Sequence, residues 1–215
     1  MRDPPGYRLR VRALGRIETV PDAIDEEKRA LRAELRERRN LLSDAARQSA
    51  ESGIQDYLYE LVERLSARSI SCFVSTVTEP GTRSFIDSAL ARDIRVLLPI
   101  TREDGLLDWS VASGQIEEGM FGLPEPVGER LGPIAVNDVD LMIIPAAAVA
   151  ADGTRLGWGR GFFDKTLGSM QQRPPVYAVT YDSEVLDTLP SDIHDQPVTG
   201  VVTPTRIVTF PLAER

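Results

Sequence analysis

Residues 155–164 read RLGWGRGFFD: three alternating glycines, two arginines and an acid in ten positions. Gly157, Gly159 and Gly161 let the main chain take conformations closed to other residues and let a ligand come close to it. Backbone N–H groups opening a helix after the third glycine would point at that ligand, and the helix dipole favours an anion there. Arg155 and Arg160 add forked guanidinium donors suited to phosphate. The spacing is neither the phosphate loop that ends in Gly-Lys-Ser/Thr nor the dinucleotide fingerprint. By itself it specifies an anion site and no more. Asp164 follows in the first turn of the expected helix. Such an acid is ordinarily a cap or dipole partner. Beside a phosphate it can also hold Mg²⁺, which takes one or two carboxylates together with phosphate oxygens. Asp195, in DIHDQPVTG, is a second loop acid that could converge on the same place.

A second basic cluster sits near the N-terminus. EEKRALRAELRERRNLL predicts a helix over 26–42, with Leu31, Leu35, Arg38 and Leu42 at helical spacing and Asp25 as its N-cap. Lys28 and Arg32 are four apart and share a face, which Arg36 and Arg39 extend. Pattern alone favours a solvated surface for such a stripe. Ser43 opens a second helix, with Ile54, Leu58, Leu61, Val62 and Leu65 on one face and Gly53 marking a kink.

The pattern changes from residue 69. SISCFVS, IRVLLP, LDWSV, VDLMIIP, VYAVTY, GVVTP and RIVTF are short β-rich runs, with helical patterns between them at 82–93 and 162–170. A continuous apolar run such as LMIIP suits a sheet buried on both faces. Strands alternating with helices predict an α/β protein: a single three-layer α/β/α domain over 25–215, its sheet mostly parallel and the N-terminal helices packed on it. Ligands in such sheets bind beyond the carboxyl ends of the strands. LMIIP leads that way, through the turn signal ADG, into the glycine loop. Pro4, Pro5 and Gly6 break any regular pattern, so residues 1–24 are expected to form a flexible extension.

Composition bounds the function. A net charge of −8 argues against nucleic-acid binding, which needs a basic surface. No apolar run approaches the roughly 20 residues of a membrane span. MRDPPGYRLRVRALGR has no apolar signal region, so a cytoplasmic location is expected. The single cysteine, Cys72, forms no internal disulfide and reads as an inert core thiol. His194 is the only histidine, and no convincing Ser/His/Asp triad is present.

Several ordered motifs together resemble the 5-formyltetrahydrofolate cyclo-ligase (5,10-methenyltetrahydrofolate synthetase) family. They are KRALR at 28–32, the acid of TEPGTR at 79, FGLPEP at 121–126, VDLMIIPAAAVAADGTRLGWGRGFFDKTL at 139–167 and HDQPVTGVVT at 194–203. The resemblance implies an ATP- and Mg²⁺-dependent ligase that converts 5-formyltetrahydrofolate to 5,10-methenyltetrahydrofolate, releasing ADP and phosphate. It implies that Lys28 and Arg32 contact the nucleotide phosphates. Arg155, Leu156, Gly157, Trp158, Gly159, Arg160, Gly161, Phe162 and Phe163 would wrap the triphosphate, with Arg32 and Arg160 beside the reacting groups. Asp164 and Asp195 would hold Mg²⁺. Glu79 would recognise the folate, with Val74, Trp109 and Phe162 as apolar walls. A monomer or weak dimer is expected. The sequence departs from the family at Phe162 and Phe163, where aromatic hydroxyls are usual, and at Trp158, often Arg or Gly. Two other readings stand beside this one: a catalytically degenerate nucleotide-binding or regulatory module on the same fold, and a sugar-phosphate isomerase. The isomerase gives no role to the Lys28/Arg32 pair.

Overall fold

A computed structural model describes residues 23–211. The extension expected over 1–24 lies, as far as residue 22, outside the described residues. In chain order the elements are α1 (Ala23–Asn40), α2 (Asp44–Arg64), β1 (Ser69–Ser71), α3 (Arg83–Leu90), β2 (Arg95–Thr101), β3 (Leu107–Val111), β4 (Ile116–Glu118) and β5 (Pro124–Pro126). They continue as β6 (Leu141–Pro145), β7 (Ala148–Ala150), β8 (Arg155–Leu156), α4 (Phe162–Ser169), β9 (Val176–Val179), β10 (Val185–Leu186), β11 (Gly200–Val202) and β12 (Ile207–Thr209).

All seven β-rich runs supply strands to one sheet, ordered β12-β11-β9-β6-β1-β2-β3. The inner pairs are parallel. Both edge strands, β12 and β3, run antiparallel to their neighbours. Alternate side chains feed two separate cores, as strand geometry demands. Val96, Leu98, Leu141, Ile143, Tyr177, Val179 and Val202 face α2 and α3. Leu97, Met142, Ile144, Val176, Ala178 and Val201 face α4 and a 3₁₀ turn over Pro133–Asp138. Helices therefore cover both faces, giving the expected three layers.

Two local readings change and a third holds. Helix α1 already includes Ala23, so Asp25 lies in its first turn instead of capping it. Ser43 does cap α2, its hydroxyl accepting the Ala46 N–H at 3.2 Å. α2 then runs unbroken through Gly53, because that glycine serves a close approach: a Cβ there would lie 2.1 Å from the Pro204 carbonyl oxygen. Among the described residues, no helix is long and apolar enough to cross a membrane.

Candidate active site

The strand β6 ends in Pro145, and β7 and β8 form a hairpin whose second arm delivers Arg155 into the glycine loop. Arg155 is buried and donates to the Pro145 carbonyl at 3.2 Å and to Asp164 at 2.6 Å. Both ends of the loop are thereby tied to the end of β6. Gly159 and Gly161 have φ of 96° and 71°, the left-handed region where a side chain is strained. Gly161 is the N-cap of α4, so the free N–H groups of its first turn face the loop.

Helix α1 crosses the other side of this loop. Arg32 Nε donates to the Gly157 carbonyl at 2.7 Å. One turn earlier, Lys28 is buried, with its Nζ 2.7 Å from Asp195 and 3.0 Å from Asp192. Burial alone lowers the Lys28 pKa, but the hydrogen bonds to Asp195 and Asp192 outweigh it and hold the ammonium above its ordinary value. Asp192 is held below the usual carboxylate range, first by the His194 N–H and then by Lys28. The expectation of a solvated basic face on α1 is thus overturned at Lys28 and Arg39. Arg39 is 1% exposed and makes a two-pronged ion pair with Glu184 while lying 4.7 Å from the Trp158 ring. Lys28, Leu35 and Arg39 form one buried stripe of α1.

Two cavities meet at the loop. The larger, about 690 Å³, lies between α1, the loop and the 192–196 segment; it is lined by Lys28, Arg32, Leu156, Gly159, Asp192, His194 and Asp195. The smaller, about 340 Å³, opens beyond the carboxyl ends of β1, β2 and β6. Phe73, Val74, Glu79, Thr101, Glu125, Trp158, Arg160, Phe162 and Phe163 line it. Gly157, Gly161 and Asp164 line both.

Most of the expected site residues are brought together here. Trp109 is not: it is fully buried in the core under α4 and borders neither cavity, which corrects its reading as a ligand wall. Strand burial and ligand stacking both call for a large apolar ring, so the sequence could not separate them. Arg155 is held in an ion pair with Asp164. Arg160 is exposed and stacks 3.9 Å over Phe121, on the side of the smaller cavity.

The acids share one feature. Asp164 uses Oδ1 for Arg155 and the Gln196 N–H, and Asp195 uses Oδ2 for Lys28 and the Asp192 N–H. In each, the other oxygen makes no hydrogen bond among the described residues. Two single oxygens suit Mg²⁺, which draws its remaining ligands from phosphates and water. Among the described residues no three His, Cys, Asp or Glu side chains converge to hold a metal alone. Sequence reasoning missed Asp192, Phe121 and Glu125. Only the acid between two prolines in FGLPEP offered a signal, being a charge in a stretch without helical pattern.

The chain matches the model of the 5-formyltetrahydrofolate cyclo-ligase family over residues 24–204. The chain belongs to that family. A 5-formyltetrahydrofolate cyclo-ligase of Mycolicibacterium smegmatis is 34% identical over 185 residues, covering 83% of this chain and 94% of the relative. One from Haemophilus influenzae is 26% identical, over 82% of this chain and 97% of its own. A 5,10-methenyltetrahydrofolate synthetase of Aquifex aeolicus, 26% identical, superposes with a TM-score of 0.73 over 87% of this chain and 95% of its own. As a member of the cyclo-ligase family the chain is an enzyme, a ligase of folate one-carbon metabolism.

Proposed function

We propose that this cyclo-ligase uses ATP and Mg²⁺ to convert 5-formyltetrahydrofolate to 5,10-methenyltetrahydrofolate, with ADP and phosphate released. The observation that carries the reading is the junction of two cavities at Gly157, Gly161 and Asp164. The nucleotide takes the larger cavity, where Lys28, Arg32 and the main-chain amides before α4 meet its phosphates. The folate takes the smaller one, with Val74, Phe162 and Phe163 against its ring and Glu79 accepting from ring N–H groups.

The formyl oxygen then lies beside the γ-phosphate. It attacks phosphorus, ADP leaves, and a poor leaving group becomes a good one. N10 attacks the formyl carbon and loses its proton, the ring closes and phosphate departs. The protein does little covalent work in such a transfer; it aligns the two substrates and offsets charge. Arg32, fixed on Gly157, and Arg160, at the rim of the folate cavity, stand on either side of the loop for that purpose. Asp164 and Asp195 each offer one oxygen to Mg²⁺, which when bound neutralises the triphosphate. Phe162 and Phe163 retain stacking without a phenolic donor.

The test is an assay with 5-formyltetrahydrofolate, ATP and Mg²⁺, following the near-ultraviolet absorbance of the methenyl product. Product that requires all three components supports the reading. ATP binding without product supports the degenerate module instead.

A further inference from the structure

Glu79 and Glu125 come from separate segments yet are held in the same way. Glu79 Oε2 accepts the Thr76 N–H and hydroxyl, both at 2.9 Å. Glu125 Oε1 accepts the Thr101 N–H at 2.9 Å and its hydroxyl at 2.5 Å. In each case one threonine fixes one carboxylate oxygen. The other oxygen, Oε1 of Glu79 and Oε2 of Glu125, makes no hydrogen bond among the described residues. Both acids line the smaller cavity. Glu125 is only 7% exposed; it borders the cavity, and its unpartnered Oε2 sits beside Gly119, where the β4–β5 ribbon turns. A buried carboxylate with an idle acceptor is costly unless a donor arrives. No arginine or lysine pairs with Glu125 among the described residues, so the missing partner is not a side chain of this site.

The antiparallel β4–β5 ribbon sets Glu125 in place: it sits at the centre of β5 between Pro124 and Pro126, opposite Glu117. Two prolines lock φ on either side of β5's central residue and remove competing N–H donors. The ribbon thus presents an acceptor to the cavity and nothing that could satisfy it internally.

We propose that Glu125 is a second ring-recognising carboxylate, a specificity-determining residue that takes an N–H donor of the reduced pterin left unpaired by Glu79. This rests on the folate reading of the smaller cavity. A tetrahydropterin carries N–H donors on its amino group, N3 and N8, more than one carboxylate oxygen can satisfy. Two separately anchored acceptors would read two of these positions, and rings that present an acceptor at either one would be rejected.

The deciding substitution is Glu125→Gln. Glutamine keeps the shape, and its amide oxygen still accepts from Thr101, so the anchor survives. Only the unpartnered atom changes, from an acceptor to an NH₂ donor. The dissociation constant for 5-formyltetrahydrofolate is expected to rise about ten- to a hundredfold, the worth of a hydrogen bond to a charged group. That for ATP stays constant, because Glu125 borders only the smaller cavity. Thr101→Val, which unmoors the carboxylate without removing it, gives a smaller loss in the same direction, and it carries the comparison if the glutamine variant does not fold. Unchanged folate affinity in the folded variant means that Glu125 only supports the ribbon, and the proposal fails while the folate reading stands. If the unsubstituted protein binds ATP but no 5-formyltetrahydrofolate, the folate reading fails and takes this one with it.

Discussion

Lys28 Nζ lies 2.7 Å from Asp195 Oδ2 across 167 residues of sequence, and Asp192 completes the bridge at 3.0 Å. The bridge joins the first helix to the C-terminal loop over the larger cavity. Its pH dependence follows from the two displaced pKa values. Asp192 is depressed in the folded protein, so its contribution is complete above the unfolded value of about 3.9 and is lost as pH falls through the lower, folded value. Lys28 is raised, so its contribution is complete below about 10.4 and is lost as pH rises through the higher, folded value. Between about pH 4 and pH 10 the bridge is therefore intact. Thermal melting of wild type and Asp192→Asn should show a constant gap in Tm across that window, narrowing at both extremes. A gap that persists undiminished in acid means Asp192 does not carry the interaction.

Asp164 faces two demands, and substitution should separate them. Its Oδ1 compensates buried Arg155, and its Oδ2 is the proposed metal ligand. Asp164→Asn leaves Arg155 without its anion, a loss of at most about 3 kcal/mol because the carboxylate is a quarter exposed and partly screened. Asp195→Asn leaves Lys28 still paired with Asp192 and should cost less stability. Both variants should need at least about tenfold more Mg²⁺ for half-maximal turnover, as expected when one of two carboxylate ligands is lost. Magnesium titrations at a temperature where both variants stay folded make the comparison. An unchanged Mg²⁺ requirement in either variant removes that aspartate from the metal site.

The Cys72 thiol is pushed up to about 12 by complete burial. A thiol so far from thiolate is a poor nucleophile. A thiol-reactive disulfide reagent should leave the native protein unlabelled and label one site per chain after denaturation. Cys72→Ser should keep the kcat and KM values of the wild type, with Tm lowered by the buried hydroxyl. Rapid labelling of the native enzyme would show that the segment after β1 opens readily.

Much of this architecture could be read from the residues alone. The seven β-rich runs all became strands of one sheet, because burial on both faces demands continuous apolar sequence and leaves little else such a run can do. The glycine loop was legible because positive φ at Gly159 and Gly161 excludes most other residues. The charged positions of α1 were harder. A lysine at a buried position looks like any surface lysine until its partners are known, and those of Lys28 lie 164 and 167 residues away. Trp109 and Phe162 show the same difficulty among apolar residues: one is sealed in the core and the other lines a cavity, with nothing in ring chemistry to part them.

Gly53 sets helix propensity against packing, and magnitudes decide the outcome. In a free helix Gly→Ala gains about 1 kcal/mol. Here the new Cβ would fall 2.1 Å from the Pro204 carbonyl oxygen, a backbone atom that cannot swing aside as a side-chain end would. Overpacking of this kind costs about 1–3 kcal/mol, and the helix gain offsets only part of it. Gly53→Ala should therefore lower the urea midpoint and Tm with no change in the m-value. Turnover at low temperature should persist, because α2 packs on the sheet face opposite α4 and none of its residues lines either cavity. A raised Tm would mean that the turn at Pro204 gives way at little cost, and that contact with it is not what keeps a glycine at this position.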